Sequence, residues 1–213
     1  MEIYEYGNKD ASIVLVQLVD GHMLGAIQEE IELINVRTDA EYSLVVFKVD
    51  NWNSDLSPWP SPAVFGKDDF AGNAKDTLAE IVDYCKDSNK TYYIGGYSLA
   101  GLFALWASYQ TDIFDGVAAA SPSMWFPDFD AYMREHTINS KRVYLSLGDK
   151  EEKTKNPIMA AVGDRIREAY EYLKAEGVNC ILEWNEGNHF KDFSLRMAKA
   201  FEWILNLDSV REI

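Results

Sequence analysis

Six short runs rich in β-branched and aromatic residues punctuate the chain: Ser12 to Val19, Tyr42 to Val49, Thr91 to Gly95, Gly116 to Ala120, Arg142 to Leu147 and Asn179 to Trp184. Each reads as a strand. Stretches with helical spacing lie between and after them, near Leu24 to Ile34, Asp69 to Lys86, Leu99 to Tyr109, Pro127 to Glu135, Asn156 to Lys174 and Asp192 to Asn206. Phe70, Ala74, Leu78, Ile81, Val82 and Cys85 share one face of the second; Ile158, Val162, Ile166, Ala169 and Leu173 share one face of the fifth. Strands alternating with helices of this length imply right-handed crossovers, and therefore a mostly parallel sheet covered on both faces. The fold class is α/β, with about six strands and helices in layers on either side. At 213 residues the chain can bury one substantial core, so residues 1–213 read as a single domain.

In such sheets ligands bind beyond the carboxyl ends of the strands. The loops starting at Asp20, Asp50, Gly95, Ser121, Gly148 and Asn185 are therefore where chemistry should gather. One of them is unusual. From Tyr92 to Trp106 the chain reads YYIGGYSLAGLFALW, a strand-like run that meets an apolar helix-like run at a single serine. Gly96-Tyr97-Ser98-Leu99-Ala100 fits small-x-Ser-x-small, the pattern of a nucleophile held on a strained strand-to-helix turn. The turn needs small neighbours because adjacent backbone crowds it from both sides. The helix that follows is apolar on nearly every face, so it must lie buried against the sheet, and its N-terminus favours negative charge beside Ser98. The competing role for a serine here is an ordinary helix N-cap, which flanking Gly96 and Ala100 disfavour.

A nucleophilic serine requires a base, and the base a carboxylate to orient it. Of the three histidines, His189 follows the last strand in Asn185-Glu186-Gly187-Asn188-His189-Phe190 and precedes the last helix, which places it on the same sheet edge as Ser98. His136 lies in a polar helix end and reads as a surface residue; His22 follows the first strand. The loop Leu147-Gly148-Asp149-Lys150-Glu151-Glu152 leaves the fifth strand with three carboxylates, Asp149, Glu151 and Glu152, any of which can serve. The order is then serine, acid, histidine.

Charge and cysteines exclude other classes. With 35 Asp and Glu against 20 Lys and Arg, the net charge of −15 repels nucleic acid and anionic membranes and suits neutral or cationic substrates. Cys85 and Cys180 are widely separated and have no histidines at ligand spacing, so they read as reduced core thiols; no metal and no other cofactor is expected. The N-terminal MEIYEYGNKDAS is acidic and polar, unlike a secretory signal, and no apolar run can span a bilayer, so a cytoplasmic location is expected.

Taken in order, GYSLAG, the carboxylate loop and GNHF resemble the α/β-hydrolase superfamily across nearly the whole chain. Within it, FDGVAAASPSMWF after the elbow is similar to the branch of enterochelin-esterase-like and esterase-D-like serine esterases. Members of that branch often carry the acid as Gly-x-x-Glu. The resemblance thus ranks Glu151, three residues after Gly148, above Asp149. It implies a three-layer α/β-hydrolase fold and hydrolysis of carboxylic esters through an acyl-enzyme; thioester cleavage, acyl transfer or non-catalytic ligand binding are the alternatives. Two features depart from the pattern: Ala100 stands where glycine is usual, and the two leading strands of larger members have little room before Ser12. A minimal form is expected, without a large cap, since only about twenty residues separate Ser121 from Lys141.

In this fold the oxyanion is held by the N–H after the serine, here Leu99, and one from the loop after the first strand, where Gly21 lets the backbone turn so that His22 or Met23 can donate. The segment from Asp50 to Pro62, stiffened by three prolines, offers Trp52 and Trp59 as a pocket wall; Tyr97 and Trp125 are further candidates for substrate contact. The site should be fairly open, favouring small soluble esters.

Overall fold

The structure is a computed structural model and describes residues 1–209. Its strands are β1 (Glu2–Gly7), β2 (Ile13–Val19), β3 (Ser43–Lys48), β4 (Pro60–Ser61), β5 (Phe70–Ala71), β6 (Thr91–Tyr97), β7 (Phe114–Ala120), β8 (Arg142–Gly148) and β9 (Asn179–Asn185). The helices are α1 (Gly21–Gly25), α2 (Ile27–Asn35), α3 (Trp52–Asp55), α4 (Ala74–Tyr84), α5 (Leu99–Gln110), α6 (Phe129–Glu135), α7 (Pro157–Ala160), α8 (Val162–Ala175) and α9 (Phe193–Ser209). A seven-stranded sheet has the order β1-β3-β2-β6-β7-β8-β9, parallel except for β1.

Strand periodicity divides the interior into two cores. Val14, Val16 and Leu18 of β2 face the side covered by α4, α5 and α8, where Ile81, Phe103, Trp106 and Ile166 pack with them. Leu15 and Val19 face the other side, against Ile31 of α2 and Met197 and Phe201 of α9. Helix α5 rests on β6 and β7, and every residue from Leu99 to Tyr109 is buried, which is why its sequence lacks a polar face.

Several sequence-based boundaries need correction. The six expected strands are present as β2, β3, β6, β7, β8 and β9, but one leading strand does fit before Ser12. Strand β1 lies at the sheet edge, antiparallel to β3, with Tyr4 and Tyr6 half-buried and the rest exposed, so its apolar signal is too sparse to read as a buried run. The helix expected from Asp69 begins at Ala74. Phe70 and Ala71 instead pair with Ser61 and Pro60, and the chain turns at Gly72 (φ 80°), where a methyl group would lie 2.6 Å from the backbone of Pro60. The first and fifth expected helices are each split, at Ala26 and Ala161.

Cys85 is buried at the end of α4 and Cys180 half-buried, both as free thiols; burial pushes the Cys85 thiol up to about 12. Among the described residues the only helix between Ser121 and Lys141 is the seven-residue α6, so this segment holds no large cap. Among the described residues no helix is long and apolar enough to cross a membrane.

Candidate active site

β6 ends at Tyr97 and α5 begins at Leu99, so Ser98 alone makes the turn, at φ 60° and ψ −123°. A residue with a side chain seldom occupies this backbone region; here neighbouring chain over-determines it. The Ser98 N–H donates to Ala120 O at 3.1 Å, and Ser98 O accepts from the Ser123 N–H at 3.1 Å. A methyl group on Gly96 would lie 2.6 Å from Ala100, and one on Gly101 2.9 Å from Gly96 O, so the turn closes only with small residues at these places. The Ser98 hydroxyl caps nothing in α5. It points instead toward His189, whose Nε2 is 3.0 Å from Oγ, with Ser123 Oγ at 3.4 Å.

His189 lies in the loop after β9 and its Nδ1 is 2.7 Å from Glu151 Oε2. Glu151 opens a short 3₁₀ turn directly after β8, with its side chain only 4% exposed. Burial raises its proton affinity, yet the hydrogen bond and charge of His189, the Gly148 N–H and the Ser121 hydroxyl outweigh burial and hold the carboxyl below its ordinary range. An ionised Glu151 fixes the proton of His189 on Nδ1 and leaves Nε2 as an acceptor facing the serine hydroxyl. The other two carboxylates are engaged elsewhere. Asp149 accepts the Gly187 N–H at 2.7 Å, the main reason its carboxyl lies below the usual range, and Glu152 pairs with Arg167 at 3.0 Å.

The remaining sequence candidates divide. Leu99 heads α5, where first-turn N–H groups have no partner within the helix. Of the two candidates after β2, the Met23 N–H is already donated to Asp20 Oδ1 at 2.8 Å as the cap of α1, whereas the His22 N–H is not part of that cap; the His22 ring packs on Phe193. Ser98 and His189 lie between two cavities. The larger, about 490 Å³, is lined by Trp52, Phe65, Trp125, Met159 and Phe190, with Lys150 and Lys153 at its margin; the smaller, about 230 Å³, is lined by Asp20, His22, Met23, Trp52, Tyr97 and Phe193. Trp59 is a correction. Its ring packs on Phe126, Phe129 and Tyr132, its Nε1 donates to Pro127 O, and it lines neither cavity: an aromatic cluster beneath the loop claims it before any ligand could. His136 stacks on Tyr132, away from the site.

Sequence reasoning missed Ser121, Arg196 and Phe190. Arg196 is 1% exposed and reaches Glu151 Oε1 at 2.7 Å; Ser121 donates to the same oxygen at 2.9 Å. The available signal was an arginine one helical turn before Ala200 on a face that otherwise reads apolar. Phe190, 87% exposed beside His189, gave none.

The Esterase family model matches residues 10–204. The chain belongs to the esterase family. It is thus a carboxylic ester hydrolase, and its fold is the α/β-hydrolase fold in a small form. YbbA of Bacillus subtilis (strain 168), an uncharacterized protein, is 22% identical over 223 residues, covering 93% of this chain and 88% of YbbA. An IroE-like serine hydrolase from Shewanella oneidensis has a TM-score of 0.76 at 14% identity, over 96% of this chain and 75% of its own. The siderophore hydrolase EstA from Aspergillus nidulans has a TM-score of 0.67 at 22% identity, over 94% of this chain and 85% of its own. At these identities the structural likeness speaks for the fold.

Proposed function

We propose that this esterase cleaves small soluble carboxylic esters through an acyl-enzyme on Ser98, with His189 as base and Glu151 as the orienting acid. The observation that carries the reading is the series Ser98 Oγ, His189 Nε2, His189 Nδ1, Glu151 Oε2, with successive gaps of 3.0 and 2.7 Å between residues, standing on a strained turn. His189 Nε2 takes the hydroxyl proton as Ser98 Oγ bonds to the ester carbonyl carbon. Negative charge collects on the former carbonyl oxygen, where the N–H groups of Leu99 and His22 would receive it. His189 then returns the proton to the departing alcohol oxygen, leaving the acyl group on Ser98. Water repeats the sequence: it gives a proton to His189, attacks the acyl carbon, and releases the acid as Ser98 regains its proton. Glu151 stays ionised throughout and stabilises the transient imidazolium.

Acyl and alcohol parts would occupy the two cavities that meet at Ser98. The larger has mostly apolar walls, which suits an apolar acyl body. Lys150 and Lys153 at its margin oppose the field of a chain with net charge −15, so neutral or anionic groups are accommodated there although the molecule as a whole repels anions.

Incubation with p-nitrophenyl acetate tests the reading. Wild-type protein should release a burst of p-nitrophenol matching the enzyme concentration, and a fluorophosphonate should label Ser98. Ser98→Ala should lose both. Unchanged turnover in that variant would remove the serine from the mechanism.

A further inference from the structure

Arg196, in the first turn of α9, is the least exposed charged residue among those described, and taking a guanidinium that far from water is strongly unfavourable unless its charge and N–H groups are matched. Every partner it finds belongs to the neighbourhood of Ser98. Nη1 lies 2.7 Å from Glu151 Oε1, 2.9 Å from Ser121 Oγ and 3.0 Å from the Tyr97 hydroxyl. Nη2 donates to Asn188 O at 2.9 Å and Glu186 O at 3.3 Å, both in the loop that carries His189. Tyr97, which precedes Ser98, passes the arrangement on by donating to His189 O at 2.8 Å.

The carboxylate is thereby divided between two tasks. Its Oε1 is taken by Arg196, the Ser121 hydroxyl and the Gly148 N–H, and only Oε2 is left to His189. A planar fork can do this because its two nitrogens serve two sets of acceptors at once, one on the acid and one on the loop. Arg196 lines neither cavity, so whatever it contributes comes through the groups it holds.

We propose that Arg196 is the positioning residue of this site: one guanidinium selects the Glu151 oxygen that faces His189, ties down the loop bearing His189, and supplies the cation that limits how tightly the Glu151–His189 pair holds a proton. The proposal rests on the reading of Ser98, His189 and Glu151 as the reacting set. A structural arginine would stabilise the fold and leave the proton affinity of the pair alone. A cation in direct contact with the acid cannot, because removing a positive charge beside two hydrogen-bonded groups makes a proton on either of them more favourable. The other titratable groups around the pair are Tyr97 from β6, Asp20 and His22 after β2, Asp149, Lys150 and Lys153 after β8, and Lys191 before α9; Asp149 interacts with all three of these lysines. None of these groups is changed in the variants below.

The test compares wild type, Arg196→Met and Arg196→Lys by NMR titration of ring-labelled histidine, with the His189 signal assigned from a His189→Gln sample, and by the pH dependence of kcat/KM. In Arg196→Met the His189 midpoint and the acid limb of kcat/KM should both rise by about one pH unit. Arg196→Lys should keep the midpoint within a few tenths of a unit, because the charge remains, while kcat drops about tenfold with KM unchanged, because an ammonium cannot serve acid and loop together. An unmoved midpoint in Arg196→Met overturns the proposal, and so does wild-type kcat in Arg196→Lys. If Arg196→Met does not fold, the Arg196→Lys result decides alone. The NMR midpoint needs no turnover, so a wild-type protein inert toward esters would sink the reading of Ser98 while leaving the effect of Arg196 on His189 separately measurable.

Discussion

Two buried glutamates of this fold have their proton affinities moved in opposite directions. Glu30 of α2 is 2% exposed and takes a single hydrogen bond, from Gln17 Nε2 at 3.1 Å; burial pushes its proton affinity up to about 8. Glu151 is nearly as enclosed, yet the His189 imidazole, the Gly148 N–H and the Ser121 hydroxyl hold its proton affinity below the ordinary range against burial, and the Arg196 guanidinium is a fourth donor to it. Burial by itself does not decide whether a carboxyl is ionised; the donors assembled around it do. A carboxylate with four donors is expensive to assemble, and it occurs here beside two serines with left-handed backbone, Ser98 at φ 60° and Ser121 at φ 44°.

The sharpest way to break the comparison is Glu151→Gln, which preserves shape and removes charge. It should lower kcat/KM for p-nitrophenyl acetate by on the order of 10³-fold, and activity within tenfold of wild type would mean the well-supplied carboxylate is not part of the reaction. The counterpart, Glu30→Gln, should leave kcat within about twofold and act on stability. In the unfolded chain this carboxyl loses its proton near 4.5, in the folded protein only near 8, so the folded state holds the extra proton between those values and wild-type stability declines as pH rises across that window. The variant should therefore gain on wild type from about pH 4.5 to 8, by on the order of a few kcal/mol, in urea unfolding measured at several pH values. Parallel stability curves would show that Glu30 is ionised after all.

Removing one donor sharpens the picture at smaller scale. Ser121→Ala deletes the hydrogen bond to Glu151 Oε1 and the acceptor that Ser121 Oγ offers Arg196, and should cost about tenfold in kcat, with the acid limb of the profile moved only slightly. A loss as large as that of Glu151→Gln would give the hydroxyl a role beyond support. The smallest effect belongs to the exposed margin: exchanging Lys150 and Lys153 for glutamate should shift the preference between a carboxylate-terminated acyl ester and its neutral analogue by a few-fold toward the neutral one, and the shift should fade in high salt. Identical ratios in both proteins would place the acyl group away from these lysines.

What the sequence made legible follows the same division. Features built from local pattern were readable: alternation of strands and helices, the all-apolar α5, the small residues at Gly96 and Ala100, and the loops that carry Glu151 and His189. Features defined by partners distant in sequence were not. Arg196 looks like any helical arginine until Tyr97, Ser121 and Glu151 surround it, and Trp59 reads as a pocket residue until Phe126, Phe129 and Tyr132 enclose its ring. β1 and the β4–β5 pair escaped because an edge strand or a two-residue ladder draws its order from a neighbour, with little apolar content of its own. Even the choice among three carboxylates needed a family pattern; geometry separates them because only Glu151 has an oxygen within reach of the imidazole.

Tyr97 and Ser98 are consecutive, yet the first holds the backbone of His189 and the second meets its ring. The spacing between hydroxyl and imidazole is thus referred to one strand end rather than to two independently moving loops. The disorder that would otherwise have to be frozen out when substrate arrives is removed as the chain folds, so turnover of a small ester should be governed by bond making and breaking, with little dependence on solvent viscosity.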